Sequence, residues 1–184
     1  MLSFISSNTL ESSEIFVLLT DMLTALAVVH VQDVVHGDIK PENFVFAESD
    51  CAIDPGVEGN IKLCDYGSAR KKHDRESELT GTLAYLAPEV VESSGGVSEK
   101  SDVYAVGCIA FLLVTGEPLV DPSLPDEEIV EIIRAGNFPD NRFLGKRGDM
   151  VSFVRALVAR DPRDRPTAEQ ALAELSIVHD QLRQ

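Results

Sequence analysis

The sequence predicts a mainly α-helical fold with a small β element (α+β) in a single domain, and three observations carry that prediction. A long segment from Ser12 keeps its apolar residues on one helical face, a second segment ending near Thr115 is apolar all round, and the strand-like runs are short. With 184 residues, of which 44% are hydrophobic and 26% charged, the chain suffices for one domain with a sizeable core and has an ordinary globular composition.

Ser12-Ser13-Glu14 predicts a capped helix start, after which Ile15, Leu18, Leu19, Met22, Leu23, Leu26 and Val29 follow the three-four spacing of one buried face. Val34-Val35, Phe44-Val45-Phe46 and Ile61-Lys62-Leu63 read as short strands separated by turn-formers. The polar stretch from Glu48 to Asn60, with Asp54-Pro55-Gly56 inside it, reads as a loop. From Lys71 to Glu78 the chain is charged and nearly free of apolar residues, which predicts a mobile surface segment of a kind that often regulates. Ser101-Asp102 then precedes the apolar helix, which ends near Thr115-Gly116 and should be the buried pillar of the core. Asp126 to Ala135 and Met150 to Val158 predict two amphipathic helices. Thr167 to about Leu182 predicts a last one, opened after Pro166 by the Thr167-x-x-Gln170 capping pattern.

A net charge of −15 and a pI near 4.5 exclude ordinary nucleic-acid binding, which draws on clustered Lys and Arg to neutralise phosphates. A basic partner or substrate fits this charge better, although an acidic surface also serves solubility alone. Cys51, Cys64 and Cys108 are odd in number and widely spaced, without C-x-x-C pairing, so neither a disulfide framework nor a zinc site is predicted. His30, His73 and His179 have no partner at a metal spacing and read as structural or solvated. The amino terminus lacks a basic signal-peptide region, and the most apolar stretch, Val103 to Thr115, is shorter than the roughly 20 residues of a membrane helix. The expectation is a soluble protein of the cytoplasm or nucleus, with no membrane partner.

Three motifs carry the chemistry: His36-Gly37-Asp38-Ile39-Lys40-Pro41-Glu42-Asn43, then Asp65-Tyr66-Gly67, then Ala87-Pro88-Glu89. Taken singly, an Asp before a turn is a cap or a solvated charge. Taken together and in this order, the motifs supply a carboxylate base, an ammonium two residues on, and hard oxygen donors suited to magnesium, the parts that phosphoryl transfer asks of a protein. The stretch resembles the catalytic loop, magnesium-binding triplet and activation-segment anchor of eukaryotic protein kinases. The resemblance runs from about residue 12 to 180 and implies the fold of the kinase C-terminal lobe, a helical bundle whose small β element carries the catalytic and metal-binding loops.

The resemblance implies ATP and Mg2+ as cofactors, a protein Ser/Thr hydroxyl as substrate, and a role for each matching residue. Asp38 matches the catalytic base, and Lys40, in the position typical of Ser/Thr-directed members, meets the charge on the transferring phosphate. Asn43 and Asp65 match the metal ligands that hold the nucleotide. Thr82, within Gly81 to Glu89, matches the threonine that bridges Asp38 and Lys40. His36, Tyr66 and Gly67 match supporting positions. Arg165 matches the late arginine that pairs with Glu89, a pair costing about 3–5 kcal/mol to break from one side if buried. Asp102 matches the buried aspartate that hydrogen-bonds the catalytic-loop backbone near His36.

The departures from the family pattern also carry expectations. Gly37 replaces the arginine that in many kinases grips an activation-segment phosphate, so phosphorylation of Ser77 or Thr80 should change activity little. Tyr66 keeps the aromatic ring of the usual Phe and adds a hydroxyl. Cys64 would sit near the nucleotide, either as a reactive thiol or as a small buried hydrophobe. Glu42 is compatible with a basic substrate residue, whereas Leu112 stands where basic-directed kinases often carry a glutamate. Neither a glycine-rich phosphate loop nor a V-A-I-K-like strand precedes His36. Residues 1–184 therefore read as a truncated kinase domain with the N-terminal lobe absent and activity impaired. The alternatives are a non-catalytic kinase-like binding or scaffold module, and a split kinase completed by a partner supplying the N-lobe.

Overall fold

The computed structural model describes residues 10–46, 61–72, 81–92, 96–136, 143 and 148–182, and the first helix among them is α1 (Ser12–Val31). Glu11, rather than a serine, occupies its cap, and its N–H donates to the Glu14 carboxylate at 2.8 Å. The expected Ser12 and Ser13 are thereby drawn into the first turn, exposed. Ile15, Leu18, Leu19, Met22, Leu23 and Leu26 are buried as the spacing predicts. At 20 residues this helix is long and apolar enough to cross a membrane by length and composition, which Val103 to Thr115 is not. Here its apolar face is packed inside the protein core.

Helix α3 (Glu99–Thr115) is the pillar, with every residue from Ser101 to Phe111 buried. It starts earlier than the sequence suggests, because Ser98 and Ser101 cap it reciprocally: the Ser98 N–H donates to Ser101 Oγ at 2.7 Å, and the Ser101 N–H to Ser98 Oγ at 3.3 Å. That start puts Asp102 in the buried first turn. Gly116 closes the helix in the left-handed conformation.

Two antiparallel ribbons lie on the helices, one with its first strand against α3 and α1, the other with its second strand against α1. Strand β1 (Val34–Val35) pairs with β4 (Arg70–Lys71), and β2 (Phe44–Phe46) with β3 (Ile61–Leu63), Phe44 opposite Leu63. The strand β4 was not foreseen, since two basic residues carry no strand pattern and owe their conformation to pairing with β1. It takes Lys71 out of the expected mobile segment. The next residue, Lys72, is tied by an ion pair to Glu99 at 2.8 Å. The rest of that segment, including His73 and Ser77, together with Thr80 beyond it and the loop from Glu48 to Asn60 with Cys51, lies outside the described residues.

Among the described residues the other α-helices are α2 (Pro88–Val91), α4 (Asp126–Ala135), α5 (Gly148–Leu157) and α6 (Ala168–Leu182). Helix α4 has its expected bounds, and α6 carries the expected capping box, with the Thr167 N–H donating to Gln170 Oε1 at 2.8 Å and the Gln170 N–H to Thr167 Oγ1 at 3.2 Å. Helix α5 starts two residues ahead of Met150 and stops short of Val158. Helices α1 and α5 pack on α3, α6 lies against α1 and α5, and α4 packs on α2 and on the turn Leu83–Tyr85. The short ribbons and turns thus sit on a helical base that holds them in place.

Candidate active site

The loop after β1 is held from beneath by one carboxylate. Asp102 is 2% exposed, and it accepts the His36 N–H at 2.8 Å on Oδ2 and the Gly37 N–H at 2.9 Å on Oδ1. Gly37 takes φ +79°, a left-handed conformation that suits glycine, and a Cβ there would meet the Ser68 carbonyl at 3.0 Å. The His36 ring, fully buried, is oriented by both nitrogens: the Asp38 N–H donates to Nδ1 at 3.3 Å, which leaves Nε2 to donate to the Cys64 carbonyl at 3.1 Å. This ring fastens the loop to the exit of β3, next to Asp65. Tyr66 packs edge-on against it, centroids 5.0 Å apart, with half of its own surface exposed.

Around Asp38 the sequence-predicted residues meet. Lys40 Nζ donates to Asp38 Oδ2 at 2.7 Å and to Thr82 Oγ1 at 3.0 Å, while the Thr82 N–H and hydroxyl donate to Asp38 Oδ1 at 2.9 and 3.0 Å. Thr82 therefore bridges the carboxylate and the ammonium. Asn43 Nδ2 closes the other side, donating to the Asp38 carbonyl at 2.7 Å and to Oδ2 at 3.3 Å. Burial alone pushes the Asp38 carboxyl up, but the bonds and charge of Lys40, with Thr82 and Asn43, outweigh it and hold the group below the ordinary value of 3.8. It is ionised at neutral pH, an acceptor aimed at whatever donor enters.

Asn43 and Asp65 suit a magnesium ion. Because the Asn43 amide nitrogen is committed to Asp38, its Oδ1 is the atom turned elsewhere, and this side chain is 5% exposed. Asp65 follows β3 in a left-handed conformation with φ 61°, exposed, and its Oδ1 accepts the Gly67 N–H at 3.3 Å. One amide oxygen and one carboxylate fit a metal that takes its other ligands from phosphates and water. Among the described residues there is no cluster of three or more His, Cys, Asp or Glu that could hold a metal by itself.

The anchor motif is fixed at the base. All five N–H donors of Arg165 are engaged: Nη1 and Nη2 meet Glu89 Oε1 and Oε2 at 2.6 and 2.7 Å, and the others reach the carbonyls of Ala159, Lys100 and Arg160. The guanidinium also lies over the Tyr104 ring, 4.8 Å from its centroid.

Two residues that sequence reasoning did not place at the site belong to its frame. His30, read as structural or solvated, sets Nε2 3.0 Å from Asp102 Oδ2. Gly81 stands at φ +105° against the loop, where a Cβ would lie 2.7 Å from the Gly37 carbonyl. Only its adjacency to Thr82 hinted at this in the sequence. His179 stacks on Phe16 at 3.7 Å, away from the site. Cys64 is a free thiol, partly buried, and its Sγ donates to the Asn43 carbonyl at 3.2 Å, which fits the small-hydrophobe reading better than the reactive-thiol one.

Residues 2–175 match the family described as protein kinase domain. The chain belongs to the protein kinase family. It is 34% identical over 165 residues to the serine/threonine-protein kinase DCLK3 of Mus musculus, an alignment covering 86% of this kinase chain and 20% of the relative. A probable myosin light chain kinase of Dictyostelium discoideum is 37% identical over 160 residues, covering 83% of the chain and 30% of that protein. Serine/threonine-protein kinase 33 of Mus musculus is 31% identical over 172 residues, covering 87% and 34%. The kinase chain thus spans a fifth to a third of the length of these relatives, and the mainly α fold with its small ribbons accords with the part of the kinase domain expected from the motifs.

Proposed function

We propose that this chain carries the substrate- and metal-holding half of a serine/threonine protein kinase, which moves the γ-phosphoryl group of ATP to a Ser or Thr hydroxyl of a protein. The observation that carries the reading is the Thr82 bridge, which locks Asp38 and Lys40 into one hydrogen-bonded set. A kinase-like scaffold would have no use for that closed set of a carboxylate, an ammonium, a hydroxyl and an amide. In the proposed reaction the substrate hydroxyl donates to Asp38, which orients its oxygen toward phosphorus. The new O–P bond forms as the bond to the ADP oxygen breaks, and the hydroxyl proton passes to the Asp38 carboxylate. Because that carboxylate is a weak base, its main work is orientation, with proton uptake late in the step. The Lys40 ammonium stabilises charge on the transferring group. Asn43 and Asp65 would hold magnesium, which when bound neutralises the phosphate oxygens.

Residues 1–184 contain neither a glycine-rich loop nor a strand lysine, and loss of even one preorganised donor costs ~10²-fold or more in rate. Transfer by these residues alone would be slow, and an N-lobe supplied by an adjoining segment or by a partner chain would restore it. The substrate is a protein, with Glu42 exposed and free to meet a basic residue, while Leu112 is partly buried in α3. The net charge of −15 argues against nucleic acid as a partner, and the free thiols of Cys64 and Cys108 favour a reducing, cytoplasmic or nuclear setting.

The test is phosphoryl transfer from labelled ATP to a Ser/Thr peptide array by a full-length form. Asp38→Asn should lose ~10²-fold or more in kcat, and Thr82→Ala should lose activity that Thr82→Ser keeps. Undiminished transfer by Asp38→Asn would refute the proposal.

A further inference from the structure

We infer that Asp21, in the middle of α1, is a positioning residue for the two magnesium ligands, holding β3 in the register that sets Asp65 against Asn43. The inference rests on the reading of Asn43 and Asp65 as the ligands of the metal.

A carboxylate at this point of α1 is out of keeping with its neighbours. Leu18, Leu19, Met22 and Leu23 are fully buried, and Asp21 lies among them, 5% exposed. Burying a carboxylate is costly unless donors reach it, and aspartate is a poorer helix former than leucine. One donor comes from the ribbon: the Ile61 N–H meets Asp21 Oδ2 at 3.1 Å. Ile61 is itself buried, so water does not readily offer its N–H another partner.

The antiparallel ladder explains why this N–H needs an acceptor outside the ribbon. Phe44 stands opposite Leu63 and Phe46 opposite Ile61, and the Cys64 N–H donates to the Asn43 carbonyl at 2.9 Å. Backbone groups alternate in direction along a strand, so Lys62 turns toward β2 as Cys64 does, while Ile61 and Leu63 turn outward. Asp21 takes the first outward N–H of β3 and ties that strand to α1.

The construction of the ribbon gives this tie its effect. Asn43 directly precedes β2, and Cys64 and Asp65 directly follow β3, so the register of the two strands sets the two ligands against each other. A tight hairpin fixes its register through a turn of roughly two to five residues, but here residues 47–60 separate two strands of three residues each. The Cys64 bond holds the metal end, and Asp21 holds the far end from the helical base. Slip by one residue would carry Asp65 about 3.3 Å past Asn43. Magnesium demands near-ideal geometry at ligand distances of about 2.1 Å, so a fraction of that slip spoils the pair as a site.

The chemistry fixes what can substitute. An acceptor at the reach of Oδ2 is required, so asparagine should serve, and leucine, similar in shape but without an acceptor, should not.

Hydrogen exchange on the chain as it stands, residue by residue, separates a register lock from a packing residue. In Asp21→Leu the Ile61 amide loses its acceptor, and the Cys64 amide at the opposite end of the ribbon should also exchange about tenfold faster, while Val106 and Ile109 in α3 keep their protection. Asp21→Asn should keep both ribbon amides within about threefold of the parent. A Cys64 amide unchanged when Ile61 is released, a rise matched throughout α3, or leucine and asparagine variants that behave alike would overturn the inference. Should the leucine variant fail to fold, the parent decides: its Ile61 and Cys64 amides must be protected to the same degree within about threefold, and an unprotected Ile61, or one that opens apart from Cys64, overturns the proposal. In a full-length form that transfers phosphate, Asp21→Leu should raise the magnesium concentration for half-maximal rate about tenfold with the peptide KM unchanged. Loss of folded protein alone would lower the rate at every magnesium concentration without moving that midpoint, and an unmoved midpoint counts against the inference. Absence of transfer by parent and variants alike would count against the kinase reading, while the exchange measurement still judges Asp21.

Discussion

The Arg165 guanidinium meets the Glu89 carboxylate as two parallel hydrogen bonds of 2.6 and 2.7 Å, with the arginine side chain wholly buried and Glu89 14% exposed. The pair joins the turn after α5 to the start of α2, bridging 76 positions of sequence, and so fixes the segment that carries Thr82 to the helical base. Removing one partner leaves a buried charge uncompensated. Glu89→Leu should therefore cost about 3–5 kcal/mol in urea unfolding, and Arg165→Met should fall at the upper end, because three carbonyls lose their donor as well. The double variant should lose less than the sum. Single variants within about 1 kcal/mol of the parent would contradict this account.

The acid side of the pH profile should report Asp38. Its carboxyl is held below 3.8 in the folded protein by Lys40, Thr82 and Asn43 against the opposing effect of burial, so folding favours the ionised form. The resulting stability is present above the unfolded value of 3.8 and is lost as pH falls through the lower folded value. Carbon-13 titration of Asp38 should show a midpoint below 3.8, and Lys40→Met should move it upward, since burial remains while the leading favourable partner is gone. A parent midpoint at or above 3.8 would show that the hydrogen-bonded set does not form in solution.

The helical frame and the meeting of Asp38, Lys40 and Asn43 were legible because each rests on short-range signals: the three-four spacing of α1, the apolar run of α3, and the fixed spacing of those three residues in one loop. Features set by distant partners were not. The strand β4 exists because Arg70 and Lys71 lie opposite Val35 and Val34, which no property of two basic residues announces. His30 and Asp102 are 72 positions apart and meet only because α1 and α3 pack together. The helix starts at Glu11 and Ser98 were missed for a subtler reason, since several neighbouring serines and glutamates could each cap and only the backbone conformation selects among them.

Close helix packing predicts a cost at Gly107. A Cβ on this residue of α3 would lie 2.7 Å from Val158 Cγ1 and 2.8 Å from Leu157 Cβ, closer than carbon atoms approach. Gly107→Ala gains helix propensity but forces α3 and α5 apart, and overpacking of this kind costs about 1–3 kcal/mol. Thermal unfolding should show a lower Tm. A higher one would mean that α5 moves aside freely.

Gly81 should control catalysis more than stability. At φ +105° it occupies backbone space that an L-residue rarely adopts, and its missing Cβ is what lets the chain pass against the Gly37 carbonyl, with Asp38 Oδ1 3.6 Å from the same point. The next residue, Thr82, donates both its N–H and its hydroxyl to that carboxylate oxygen. In Gly81→Ala the added methyl must push the segment off the loop, which lengthens both bonds and frees Lys40 from its threonine partner. A displacement near 1 Å at a catalytic group costs ~10²-fold, so a full-length form should lose about that much in kcat. The global fold is anchored elsewhere, by Arg165 and Glu89, so the stability cost should stay at ~1–3 kcal/mol, that of one strained backbone position. The same variant should also raise the midpoint of Asp38 in the carbon-13 titration, because two of the bonds that favour the ionised carboxylate are weakened. Loss of activity with an unmoved Asp38 midpoint would place the effect of Gly81 somewhere other than the Thr82 bridge.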